Sequence, residues 1–243
     1  MSMKNTLALH AVKKITSLSL LTAASLLSFG AQAVVVTQWN FNATSGTLVA
    51  STGTGAASVV GGIAGSFAGG GEAVGTVNDK AWQTTTYAAQ GADNLSKGVQ
   101  FTISTLGFED IVFSYDNRLS ATASANVMVQ YSLDGANFTD AQLVTSPTAL
   151  VFAHNVIDLS AVSAIDNQAS VTLRIVSAFK PTTSQYATTA TGGGAYAPGG
   201  TMRYDLVTVE GSAVAAVPEP QTYAMLLAGL AAVGFVARRR KAS

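Results

Sequence analysis

Val127-Met128-Val129-Gln130-Tyr131-Ser132-Leu133-Asp134-Gly135-Ala136-Asn137-Phe138 is the stretch that decides the fold. Val127, Val129 and Tyr131 alternate with Met128 and Gln130. A period of two places alternate side chains on opposite faces of a strand. Asp134-Gly135 then interrupts the run: glycine supplies a positive φ and aspartate caps the bend, so the segment reads as a hairpin. The competing reading of Asp134, a metal ligand, is the weaker one. The same alternation recurs on either side. Val34 to Asn42 reads as the first strand and Val99 to Ile103 as another. Ile111, Phe113 and Tyr115 alternate with Val112 and Ser114, and Val171, Leu173 and Ile175 with Thr172 and Arg174. Asp205, Val207 and Val209 alternate with Leu206 and Thr208 near the end. β-Branched and aromatic runs of this kind fit a half-buried pleated surface. Helical periodicity is nearly absent between the two ends of the chain. The expectation is an all-β, two-sheet β-sandwich of the jelly-roll kind.

Two glycine-rich stretches punctuate this pattern. Gly53 to Gly75 holds nine glycines and Gly192 to Gly200 five. Both read as flexible surface loops, with room for an edge strand in the first.

The two ends are built differently. Lys4, Lys13 and Lys14 precede an apolar run from Ile15 to Phe29, and Ala31-Gln32-Ala33 follows as a small-x-small box. That is the layout of a cleaved signal peptide over residues 1–33, with Ala31 and Ala33 at the cleavage site. At the other end Val217-Pro218-Glu219-Pro220 leads into an apolar stretch from Tyr223 to Ala237, then Arg238-Arg239-Arg240-Lys241. Motif, apolar helix and basic stop resemble the PEP-CTERM signal of Gram-negative bacteria. The resemblance makes Pro218, Glu219, Pro220, Arg238, Arg239 and Arg240 the sorting signal and an exosortase the processing partner. It implies export through an inner-membrane intermediate to the cell surface or extracellular matrix. Residues 223–237 are then expected to be a transmembrane helix, within a linker and sorting region at 212–243, leaving 34–211 as one ectodomain.

The formal net charge of zero hides an asymmetry. Seven of the thirteen basic residues lie in the two signals. The chain between them keeps six, against twelve acidic residues, a balance of −6. A weakly charged, acidic surface argues against nucleic acid as partner. The chain has no cysteine, which excludes thiol catalysis and thiolate metal sites.

Gln38-Trp39-Asn40-Phe41-Asn42, Phe113-Ser114-Tyr115-Asp116-Asn117-Arg118 with the hairpin quoted above, and Gly200-Thr201-Met202-Arg203-Tyr204-Asp205-Leu206-Val207-Thr208-Val209 together resemble the jelly-roll ectodomains found upstream of PEP-CTERM signals. The resemblance implies a structural or adhesive role in exopolysaccharide or biofilm matrix, and some jelly rolls of this shape bind carbohydrate.

For a glycan the candidates are Trp82, whose ring would stack on a sugar if exposed, and Asp116 with Arg118, which share one strand face. The bland readings are a core tryptophan and a solvated charge pair. Gln38–Asn42 is expected to pair with Asp205–Val209, since an unpaired terminal strand would expose a row of backbone donors and acceptors, and Asn40, Asn42 and Asp205 then come together. They are the candidate oxygen donors for a structural Ca²⁺, although no D-x-D-x-D-G loop accompanies them. No catalytic residue is assigned. His154 is the only histidine outside the signal peptide, and neither G-x-S-x-G nor H-E-x-x-H occurs. Adjacent Glu109 and Asp110 would point to opposite strand faces and cannot form a glycosidase pair.

Overall fold

The computed structural model describes residues 32–71, 79–214 and 220–241. The signal peptide up to Ala31, and Pro218 and Glu219 of the sorting motif, lie outside the described residues.

Among the described residues, two antiparallel sheets face each other. Their strands are β1 (Ala33–Trp39), β2 (Gly55–Val60), β3 (Ala64–Gly69), β4 (Lys80–Thr85), β5 (Gly98–Ile103), β6 (Phe108–Leu119), β7 (Asn126–Ser132), β8 (Thr139–Thr145), β9 (Phe152–Asp158), β10 (Val171–Ser177) and β11 (Met202–Ala213). One sheet has the order β3-β4-β11-β6-β9, with β1 also on β11; the other has the order β2-β5-β10-β7-β8. From β4 onward successive strands mostly switch sheets, as in a jelly roll. The predicted rows turn inward: Val99, Phe101 and Ile103 meet Val171, Leu173 and Ile175 in one sheet, and Ile111, Phe113 and Tyr115 line the other. Rings thread the core as a chain, Trp39 to Phe101 at 5.0 Å, Phe101 to Phe113 at 6.2 Å and Phe113 to Tyr115 at 5.7 Å.

The glycine-rich stretch at 53–75 is not a surface loop throughout: the edge strand for which its sequence left room is present, and a second with it. It supplies two edge strands, β2 and β3, one for each sheet. Gly61 and Gly62 both take positive φ between them, as a tight turn requires. The glycines inside the strands have a packing cause. A Cβ on Gly55 would lie 2.7 Å from the Trp39 ring, and one on Gly65 would lie 2.9 Å from Trp82 Nε1. Both indoles are seated where a side chain would otherwise stand. Trp82 is therefore a core residue, 2 % exposed and edge-on to Phe101 at 6.1 Å, and the expectation of an exposed stacking platform is corrected.

β1 pairs with β11 from Ala33 opposite Ser212 to Trp39 opposite Val207, as the two-ended sequence pattern predicts. The strand stops at Trp39 rather than Asn42, because Asn40 Oδ1 accepts the Asn42 amide and Phe41 takes φ 51°. β11 carries β6 along one edge. Along the other it serves two partners, β4 at Met202–Tyr204 and β1 from Val207 onward. The change-over is a bulge at Asp205 and Leu206, the latter at φ 43°. The bulge breaks the expected alternation: Tyr204 and Val207 both enter the core, so Asp205 lies on the face opposite Val207.

The start of β1 and the end of β11 lie together, and the Val214 amide donates to the Gly107 carbonyl at 2.9 Å. The connections at the other ends of the strands are tied to one another. Tyr87 N–H donates to Pro198 O, Gly194 N–H to Ala121 O and Ala125 N–H to Ala187 O. The second glycine-rich stretch, 192–200, is part of that loop end, as expected.

The helix α1 (Pro220–Lys241) includes the expected apolar stretch and the arginine cluster. Proline at its first position leaves no amide to satisfy. Its apolar side chains, Leu226, Leu230 and Phe235 among them, are exposed. The expected membrane span is not supported: among the described residues, no helix is long and apolar enough to cross a membrane. The stretch 223–237 rises only ~22 Å, short of a ~30 Å hydrocarbon layer.

Candidate functional site

Asp116 and Arg118 do share the outer face of the β6 sheet, but they do not pair with each other. Asp116, 4 % exposed, has β9 on one side and β11 on the other, opposite His154 and Asp205. His154 Nδ1 lies 2.6 Å from Asp116 Oδ1, and the imidazole is largely exposed. The carboxylate is thus taken and covered, which removes Asp116 as a direct glycan contact. Arg118 Nε donates to the Leu150 carbonyl at 2.9 Å. Beside it, Arg203 Nε donates to Gln83 Oε1 at 2.9 Å; burial, then the neighbouring Arg118 charge, lower the Arg203 pKa.

A more orderly polar row crosses the outer face of the other sheet. The register sets Ser58 beside Gln100, Gln100 beside Arg174, Arg174 beside Gln130 and Gln130 beside Asp140. The last three are linked: Arg174 Nε donates to Gln130 Oε1, and Gln130 Nε2 donates to Asp140 Oδ1. The guanidinium lies over the Phe138 ring, 3.5 Å from its centroid. Partial burial pushes the Arg174 pKa down while the Asp140 charge opposes the shift. Sequence reading missed this row because its members sit on five strands, and only the register unites them. Phe138 is held there by the hairpin that ends at it. Asp134 accepts the Asn137 side-chain amide and then the Asn137 and Ala136 backbone amides, which holds its carboxyl well below the usual range.

The third feature is a carboxylate notch where β11 changes partner. Asp205 Oδ2, Asp79 Oδ1 and Lys80 O lie 2.3, 2.5 and 3.0 Å from the place a Cβ on Gly71 would occupy. The two carboxylate oxygens are therefore no farther apart than the first two distances laid end to end. Asp79 Oδ1 is buried and has no hydrogen-bond partner among the described residues. Two carboxylate oxygens and a carbonyl oxygen gathered around Gly71, one of them unsatisfied, are hard donors of the kind Ca²⁺ takes. The asparagines play a different part from the expected one. Asn42 Oδ1 accepts the Lys80 amide at 2.7 Å, and Asn40 Oδ1 serves its own turn. Asp79 Oδ1 and Lys80 O, rather than the asparagine oxygens, lie around Gly71 with Asp205 Oδ2. The described residues hold no group of three His, Cys, Asp or Glu side chains placed for a metal, so a cation here would need backbone oxygen as well.

A cavity of about 450 Å³ opens at the loop end of the sandwich, lined in part by Asn126, Ser146, Lys180 and Thr188. Ser146 Oγ is buried there without a partner among the described residues.

Among the described residues, Asp116 and Asp205 are buried carboxylates on one sheet face. They stand side by side on adjacent strands rather than across a cleft, whereas a glycosidase pair must flank the bond it cleaves.

Fold and tail together define a β-sandwich protein with a C-terminal sorting signal. Residues 216–241 match the family described as the PEP-CTERM protein-sorting motif, so the chain carries that motif at its C-terminus. The motif implies export, exosortase processing and sorting to the cell surface. No curated protein matches the chain. Among solved structures it is similar to the CBM22-1 xylan-binding domain from Paenibacillus barcinonensis Xyn10C, at 13% identity and a TM-score of 0.45, covering 76% of this chain and 99% of that one. A point mutant of the family 29 carbohydrate-binding module CBM29-2 aligns at 10% identity and a TM-score of 0.39, covering 74% and 92%. TmCBM61 in complex with beta-1,4-galactotriose aligns at 8% identity and a TM-score of 0.37, covering 64% and 86%. At TM-scores below 0.5 these likenesses are too coarse to transfer a ligand or a site.

Proposed function

We propose that this chain is an exported protein, sorted by its PEP-CTERM tail to the cell surface or extracellular matrix, where the sandwich has a structural or adhesive role by holding exopolysaccharide. The observation that carries the glycan part is the outward row of Gln100, Arg174 and Asp140, in which buried Gln130 links the guanidinium to the carboxylate. Planar amide, guanidinium and carboxylate groups form paired hydrogen bonds to neighbouring sugar hydroxyls, and Phe138 beneath the guanidinium holds its plane. The row lies on a rigid sheet face, so little ordering entropy opposes binding. The role asks for weak, repeated contacts along a polymer rather than a deep pocket, and it needs no catalytic group.

The test is affinity electrophoresis of residues 33–214, which keep β1 and β11 whole, through gels containing the producing cell's own exopolysaccharide, followed by a glycan array. Retardation that is lost in Arg174→Ala and kept in Arg118→Ala supports the reading. Mobility unchanged by the polysaccharide refutes it. Tight binding of one defined oligosaccharide would instead mark a dedicated carbohydrate-binding module.

A second reading concerns the notch, where Asp79, Asp205 and Lys80 O would hold a structural Ca²⁺. The cation would neutralise two close carboxylates and pin the β4 start to the β11 bulge. Addition of millimolar Ca²⁺ should then raise the melting temperature of wild-type protein but not of Asp79→Asn. Equal melting of both with and without the ion rules it out.

A further inference from the structure

From Val34 to Gly71 the chain contains no Asp, Glu, Lys, Arg or His. Both β2 and β3 fall in this stretch and form sheet edges. They lie side by side, since a Cβ on Gly65 would come 3.3 Å from Val59 Cγ1. One flank of the sandwich is thus a double edge whose two strands carry no charge of their own. Edge strands present unpaired backbone donors and acceptors, and proteins normally guard them with charges, prolines, bulges or a covering segment. β2, Gly55-Ala56-Ala57-Ser58-Val59-Val60, has no charge and no proline, and it keeps one-to-one register with β5 from end to end. Its residues are exposed or half-buried.

The opposite flank is guarded. β8 carries Asp140 and a register shift against β7, and β9 carries His154 and Asp158. β3 is less open than β2, because the Gly69 carbonyl accepts Arg203 Nη1 and the Gly70 amide donates to Asp79 O.

We infer that β2 is a self-association edge, where a second copy of this chain adds its own β2 antiparallel about a two-fold axis. The pairing is isologous, so each copy meets the same uncharged strip. Charge selects the place. With twelve acidic and six basic residues between the signals, like copies repel over most of their surface, and this edge is where approach brings no like charges together. Main-chain hydrogen bonds would join the two five-stranded sheets into one. The inference stands independently of the glycan reading. A protein held at a surface or in a matrix would gain two-fold cross-links from it.

Sedimentation velocity of the protein recovered from exporting cells, at micromolar to sub-millimolar concentration, tests this. Wild-type protein is expected to self-associate reversibly. Ser58→Lys and Ser58→Glu should each weaken association at least tenfold, and an equimolar mixture of the two should recover it, which a merely misfolded variant cannot do. Ala141→Lys, on the guarded β8 edge, should leave association unchanged. A wild-type protein that stays monomeric throughout, an association untouched by the Ser58 changes, or one weakened equally by Ala141→Lys overturns the inference.

Discussion

Gly55→Ala adds one methyl group and tests why the first glycine-rich stretch is a pair of strands. Its Cβ would lie 2.7 Å from both Cζ2 and Cη2 of Trp39 and 3.0 Å from the Thr102 carbonyl. The indole has nowhere to retreat. It is fully buried, its Nε1 donates to Leu48 O at 3.0 Å, and it packs on Phe101. Alanine in place of glycine stiffens the unfolded chain and contributes ~0.5–1 kcal/mol of stability where the space is open. Overpacking of a filled core costs ~1–3 kcal/mol. The second effect wins, and a net loss of about 1 kcal/mol is expected. Gly69→Ala is the control, because nothing lies within 4 Å of its Cβ and its φ is not positive; it should be neutral or stabilising by up to ~1 kcal/mol. Trp39→Phe removes the clashing atoms and by itself costs ~2–3 kcal/mol through the void and the unpaired Leu48 carbonyl. In that background Gly55→Ala should turn neutral or favourable, a coupling of ~1–2 kcal/mol. Urea unfolding of all variants by circular dichroism reads these differences. If Gly55→Ala behaves as Gly69→Ala does, or if its penalty persists beside Trp39→Phe, the seating of the indole is not what demands glycine.

Tyr115 lies wholly in the core and its hydroxyl has no partner among the described residues, so Tyr115→Phe should stabilise the domain by ~1 kcal/mol in the same urea assay; a loss of stability would reveal a bond to that oxygen. Asp134 has a folded pKa depressed by its hairpin hydrogen bonds. Its contribution is therefore fully present above an unfolded value of ~3.9 and is lost as pH falls from there through the folded value. Melting temperatures between pH 2 and pH 6 should fall less steeply for Asp134→Asn than for wild type, and parallel curves would count against the turn's role. Alanine at Pro218, Glu219 and Pro220 together should leave protein that keeps its Arg238–Ser243 peptide, whereas mass spectrometry of surface-sorted wild type should lack it. An intact tail on surface protein contradicts processing.

The inward rows of β5, β6, β7 and β10 were legible because strand periodicity is local: Val127, Val129 and their neighbours declare a face without knowing their partners. The pairing of β1 with β11 followed from the need to cover both terminal strands. Gly55 and Gly65 were not legible as strand residues, since glycine signals a loop unless the ring that occupies its missing side chain is known. Trp82 looked exposed because Lys80 and Thr84 flank it, yet alternation along β4 sends it inward against Phe101. Asp205 was assigned its face by strict alternation, which one bulge reversed.

The candidate sites divide in the same way. The tail motif, read over consecutive residues, was complete in the sequence, as was the Asp134 hairpin that ends at Phe138. The row from Gln100 to Asp140 and the notch of Asp79 with Asp205 were not, for their members are distant in the chain and meet only through strand register. Sequence by itself determined what depends on neighbours along the chain: strand periodicity, turn chemistry, the sorting signal and the uncharged run from Val34 to Gly71. Tertiary structure alone decided which strands became edges, which polar groups share a face and which carboxylates converge. Those follow from long-range pairing, whose register is set by the fit of the whole core.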